Sequence, residues 1–164
     1  YRLSLLLKQP TIMKKKLSDL IKKENVVFLE TIDMVDTIEV LTENAINNQK
    51  IKDKESFKNA VLEREELVST GIGLGVALPH TKSKDIEEFF IVIGINKEGI
   101  DWDAIDRNPV GIVFLIGGPE AEDSQKEYLQ IVSKLMLLIK NKERRISLLN
   151  SENAQEIADI FEKF

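Results

Sequence analysis

The sequence predicts a single α/β domain in which a mixed β-sheet is sandwiched between helical layers. Three observations predict it. Residues 89–95 and 110–116 are nearly unbroken apolar runs, the pattern of central strands covered on both faces. Segments with apolar residues at helical spacing alternate with them. The chain has 164 residues, enough for one domain with a sizeable core.

The elements follow in order. Tyr1-Arg2-Leu3-Ser4-Leu5-Leu6-Leu7 lacks the small-residue cleavage site of a signal peptide. Residues 1–12 are read as a leader or an appended extension, because Met13-Lys14-Lys15-Lys16-Leu17 looks like a native start, and the domain is taken as 13–164. Residues 14–23 are basic, with Leu17, Leu20 and Ile21 on one face of a short helix. Val26-Val27-Phe28-Leu29 suits a strand. Asp36 or Thr37 is the expected cap of a helix to about Gln49, with Val40, Leu41, Ala45 and Ile46 inward. Asp53 caps the next helix, which buries Phe57, Ala60 and Val61. Arg64, seven residues beyond Phe57, falls near the same face, where it either snorkels along the core edge or reaches into a site. Gly117-Gly118-Pro119 ends the second apolar run. A helix then starts near Ser124 and carries Tyr128, Leu129, Ile131 and Leu135. A shorter helix spans about 142–149, and Ser151 is the expected cap of the last, with Ile157, Ile160 and Phe161 inward.

Composition excludes several function classes. A net charge of −5 argues against general nucleic-acid binding. There is no cysteine, hence no disulfide or thiol chemistry, and with one histidine a protein-bound metal is not expected. No apolar run is long enough for membrane insertion. No cofactor is indicated.

The candidate catalytic residue is His80, the only histidine. A lone histidine is ordinarily a surface or satisfied core residue, but this one follows Ser69-Thr70-Gly71-Ile72-Gly73-Leu74-Gly75-Val76-Ala77-Leu78-Pro79. Alternate glycines permit unusual backbone angles and proline fixes its own φ, so local stability is spent on aiming one side chain. Neutral imidazole is a good nucleophile near pH 7, and glycine-rich backbone N–H groups with Arg64 suit a phosphoryl group. A nucleotide-binding loop is not indicated, because the motif ends in Pro-His rather than in a Walker lysine.

The stretch from Arg64-Glu65-Glu66 to Leu78-Pro79-His80 resembles the signature of the fructose/mannitol-type enzyme IIA domains of the bacterial phosphoenolpyruvate-dependent sugar phosphotransferase system. Gly99-Ile100-Asp101-Trp102-Asp103-Ala104-Ile105-Asp106-Arg107-Asn108-Pro109-Val110 is similar to a later family segment, nearest its nitrogen-regulatory branch. The resemblance implies that His80 accepts phosphate on Nε2 from an HPr-like phosphocarrier and that Arg64 holds the phosphate. It implies a cytoplasmic phosphotransferase passing the group to an enzyme IIB partner, or a regulatory module whose phosphorylation at His80 controls a target protein. The family usually carries a second histidine at the start of the helix after the second buried strand, and the matching position here is Tyr128. Ile72, Leu74 and Leu78 are the candidate apolar contacts for a docking carrier, unless they belong to the core.

Overall fold

The two apolar runs pair with each other. In the computed structural model, which describes residues 16–164, they are β5 (Phe90–Ile100) and β6 (Val110–Pro119), antiparallel with Ile91 opposite Ile116 and Ile93 opposite Phe114. The boundary expected between residues 12 and 13 lies outside the described residues.

The remaining strands are short. β1 (Val26–Phe28) runs parallel to β5. On the other side of β6 lie β2 (Gly71–Gly73), β3 (Val76–Ala77) and β4 (His80–Ser83). The sheet has six strands in the order β1-β5-β6-β3-β2, with β4 also paired to β6, and it is mixed.

Six α-helices cover it among the described residues: α1 (Leu17–Leu20), α2 (Met34–Asn47), α3 (Lys54–Leu67), α4 (Ser124–Ile139), α5 (Lys142–Asn150) and α6 (Ala154–Glu162). Side-chain alternation sorts the continuous apolar runs into two cores. Ile91, Ile93, Phe114 and Ile116 pack with α1, α4, α5 and α6 through Leu20, Leu135, Leu148 and Phe161. Val92, Val113 and Leu115 pack on the opposite face with α2 and α3 through Ile38, Leu41, Phe57 and Val61. Residues 90–95 of β5 and 110–118 of β6 are therefore all apolar or glycine, as expected from the sequence.

Four local expectations are corrected. The cap of α2 is Asp33, whose carboxylate accepts from Asp36 N–H at 2.9 Å, so the helix starts a turn earlier than expected. That turn places Ile38 inward and leaves Val40 exposed. The cap of α6 is Asn153, which accepts from Glu156 N–H, while the Ser151 hydroxyl donates to the Ser147 carbonyl at the end of α5. Finally, β6 continues through Gly117 and Gly118, where a side chain would collide with the Phe90 and Phe89 rings. Asp53 caps α3 as expected, accepting from Ser56 N–H.

Candidate functional site

Gly71 opens a hairpin that brings the histidine to the sheet. A Cβ at Gly71 would lie 2.8 Å from Ala104 Cα, so only glycine lets the hairpin press against the segment before β6. β2 turns into β3 through Leu74 and Gly75, with φ of 60° and 72°. A two-residue hairpin loop favours positive φ at both positions. Glycine adopts it freely, whereas a leucine there costs about 1–2 kcal/mol. The Leu74 side chain is nonetheless 52% exposed, an apolar group displayed on a strained tip.

β3 and β4 continue one another along β6. Val76 faces Ile112 and His80 faces Ile116, four residues further along both strands, with Leu78-Pro79 as the interruption. Proline lacks the N–H that a central strand would need, and it is tolerated because β4 pairs only with β6 among the described residues.

At that open edge the His80 ring is half-buried. Its Nδ1 lies 2.9 Å from the Leu78 carbonyl oxygen. A carbonyl only accepts, so Nδ1 carries the proton and the neutral ring keeps its free lone pair on Nε2. Burial pushes the His80 imidazole below its ordinary value; the Leu78 bond opposes this, Arg64 and Lys82 reinforce it, and Glu65 opposes it. The free base is thus the resting form near neutral pH.

Tyr128, on the second turn of α4, stands beside the histidine with ring centroids 4.9 Å apart. Burial pushes its hydroxyl up, against the pull of Arg64, so it is a neutral donor. Arg64, in the last turn of α3, donates from Nη1 to the Val68 carbonyl at 3.0 Å, and its charge acts on both His80 and Tyr128. The structure thus gathers all three residues singled out from the sequence.

It also adds Lys82. Strand alternation puts Lys82 on the same side of β4 as His80. Its ammonium sits 5.4 Å from the Tyr128 ring centroid and donates to Gln125 Oε1 at 2.5 Å. The position two residues beyond the histidine was the available signal. Of the apolar contacts expected around the site, Leu78 is buried in the core and Ile72 packs against it, which leaves Leu74 as the exposed one. A neutral imidazole with a phenolic donor beside it and the charges of two cations acting on it suits a transferable anion.

The family described as "Phosphoenolpyruvate-dependent sugar phosphotransferase system, EIIA 2" matches residues 19–164. The chain belongs to this EIIA family. The EIIA chain is 32% identical over 123 residues to the PTS system fructose-specific EIIA component of Haloferax volcanii, covering 75% of the chain and 79% of that protein. It is 32% identical over 149 residues to the PTS system fructose-specific EIIABC component of Bacillus subtilis, covering 88% of the chain but only 23% of that longer protein. Among solved structures, the nitrogen regulatory protein IIA-Ntr of Neisseria meningitidis superposes on the EIIA chain with a TM-score of 0.81 at 25% identity, covering 88% of the chain and 98% of that structure. No described helix is long and apolar enough to cross a membrane.

Proposed function

We propose that this EIIA chain is a cytoplasmic phosphoryl carrier whose His80 Nε2 takes the group from an HPr-like phosphocarrier and passes it to an enzyme IIB partner. The observation that carries the reading is the His80–Leu78 hydrogen bond, which leaves the lone pair on Nε2. In the first step that lone pair attacks phosphorus. The N–P bond forms as the bond to the donor's leaving atom breaks, and that electron pair returns to the donor. Nδ1 keeps its proton, hydrogen-bonded to the Leu78 carbonyl, whose oxygen stabilises the positive charge developing on the ring. Arg64 and Lys82 offset the phosphoryl charge, and Tyr128 donates to an oxygen. In the second step the partner's nucleophile attacks phosphorus and the Nε2 lone pair is restored. Leu74, exposed on its strained tip, is the apolar contact for the docking carrier.

A regulatory reading is favoured by one observation: the nitrogen regulatory protein of Neisseria meningitidis matches over 98% of its own length. In that reading the same phosphohistidine sets which target protein the domain binds.

Incubation with phosphoenolpyruvate, enzyme I and an HPr-like carrier tests the carrier reading. Acid-labile phosphate should appear on the chain and move on to a IIB partner. A chain that stays unlabelled in the presence of competent carriers overturns the reading. Labelling without onward transfer to any IIB partner favours the regulatory one.

A further inference from the structure

The site contains a buried anion that the phosphoryl chemistry does not use. Glu65 lies in the last turn of α3 and is 8% exposed. A carboxylate at a helix C-terminus faces the negative end of the helix dipole, so this placement is unfavourable twice over, by burial and by the dipole. It is retained with both oxygens occupied. Oε2 accepts from Thr70 N–H at 3.0 Å, and Oε1 accepts from the Thr70 hydroxyl.

Those bonds begin a ladder that ends on the histidine. Thr70 is itself buried, and its carbonyl accepts from Leu78 N–H at 3.0 Å. The Leu78 carbonyl in turn accepts from His80 Nδ1 at 2.9 Å. Thr70 is thus clamped through its N–H and hydroxyl, and its carbonyl fixes Leu78. Pro79 then limits the freedom between the Leu78 carbonyl and the ring.

We propose that Glu65 is a positioning residue: acting through Thr70 and Leu78, it holds the Leu78 carbonyl against His80 Nδ1 and so selects the tautomer with its lone pair on Nε2. The consequence for transfer rests on the reading of Nε2 as the phosphoryl acceptor. The selection itself does not.

That separation makes the test clean. The chain has one histidine, so the imidazole nitrogen signals of ¹⁵N-labelled protein belong to His80 without assignment. In the unphosphorylated wild-type protein under mildly alkaline conditions, the signals should show the Nδ1–H tautomer as the main species. In Glu65→Leu no acceptor remains for the Thr70 N–H or hydroxyl, and the clamp fails. The Nε2–H tautomer should rise severalfold while the amide spectrum stays folded. Thr70→Val, which removes the hydroxyl, should shift the ratio in the same direction, and Thr70→Ser should restore it. A purely structural Glu65 would lower the melting temperature and leave the tautomer ratio unchanged. An unchanged ratio in folded Glu65→Leu, or equal ratios in Thr70→Val and Thr70→Ser, overturns the proposal. Phosphate labelling, measured separately, decides the carrier reading and not this one.

Discussion

His80 Nδ1 and the Leu78 carbonyl oxygen lie 2.9 Å apart, with only Pro79 between the two residues. This bond converts a symmetric choice between two ring nitrogens into a chemical assignment. A histidine free in solution presents either nitrogen, whereas one tied to a carbonyl presents the other. The rest of the site stands around that choice, with Tyr128 beside the ring, Lys82 over the Tyr128 ring, and the charges of Arg64 and Lys82 acting on the imidazole.

Arg64→Ala should slow phosphoryl transfer by about ten- to a hundredfold, since a hydrogen bond to a charged group contributes about 1.5–3 kcal/mol. The melting temperature should change little, because the intramolecular bond lost is an exposed one to Val68. Arg64→Lys should recover part of the rate, because lysine supplies the charge without the planar fork. Single-turnover labelling checks this, and an unchanged rate in Arg64→Ala would return Arg64 to a role in capping α3.

Tyr128 is the position at which the resemblance implies a second histidine, and the Lys82 ammonium lies over its ring. Tyr128→Phe should slow transfer by severalfold through loss of one neutral donor, about 0.5–1.5 kcal/mol. Tyr128→His should transfer at least as fast as wild type. Lys82→Met keeps the aliphatic stem over the ring and removes the charge, and about a tenfold loss is expected. Equal rates for Lys82→Met and wild type would make Lys82 a tether for Gln125 alone.

The pH dependence has a definite sign. Burial holds the folded His80 imidazole below its ordinary value, so the neutral form is the larger share where a free imidazole is half protonated, at about pH 6.5. Transfer should therefore hold its rate as pH falls past that point and decline only through the lower folded value. For stability, the unfolded chain binds its proton first as pH falls. Stability from this group is fully present above the unfolded value, falls as pH drops through the window between the two, and is level below the folded one. His80→Gln should remove that component from melting curves taken between about pH 5 and 8. An NMR titration placing the His80 midpoint above 6.5 would contradict the sign.

Much of this was legible in the sequence, for physical reasons that differ by element. Continuous apolar runs announced β5 and β6 because central strands bury both faces. Asp53 was legible as a cap because it directly precedes the helix of Phe57 and Val61, whereas at the start of α2 Asp36 and Thr37 were favoured over Asp33. Which residue caps depends on which turn of α2 meets the sheet, and the turn that does so buries Ile38 with Leu41 in one core. At the site, His80 stood out by its motif, Arg64 by helical spacing, and Tyr128 by family resemblance. Glu65 did not stand out, because a glutamate in a charged helical run reads as a solvated face until its carboxylate is seen clamping Thr70. Lys82 was hidden likewise, since strand alternation pairs it with His80 only once β4 is known to begin there. Leu78 was left open between docking patch and core because the break at Pro79 obscures that β3 and β4 share one register along β6.

The most direct test of the account is the position of the phosphoryl group on the His80 ring. Protein labelled with ¹⁵N at histidine and phosphorylated through an HPr-like carrier should show phosphorus coupled to Nε2. Nδ1 should stay protonated on the Leu78 carbonyl, and no phosphoryl signal should appear in His80→Ala. Phosphorus coupled to Nδ1, or label persisting in His80→Ala, would contradict it.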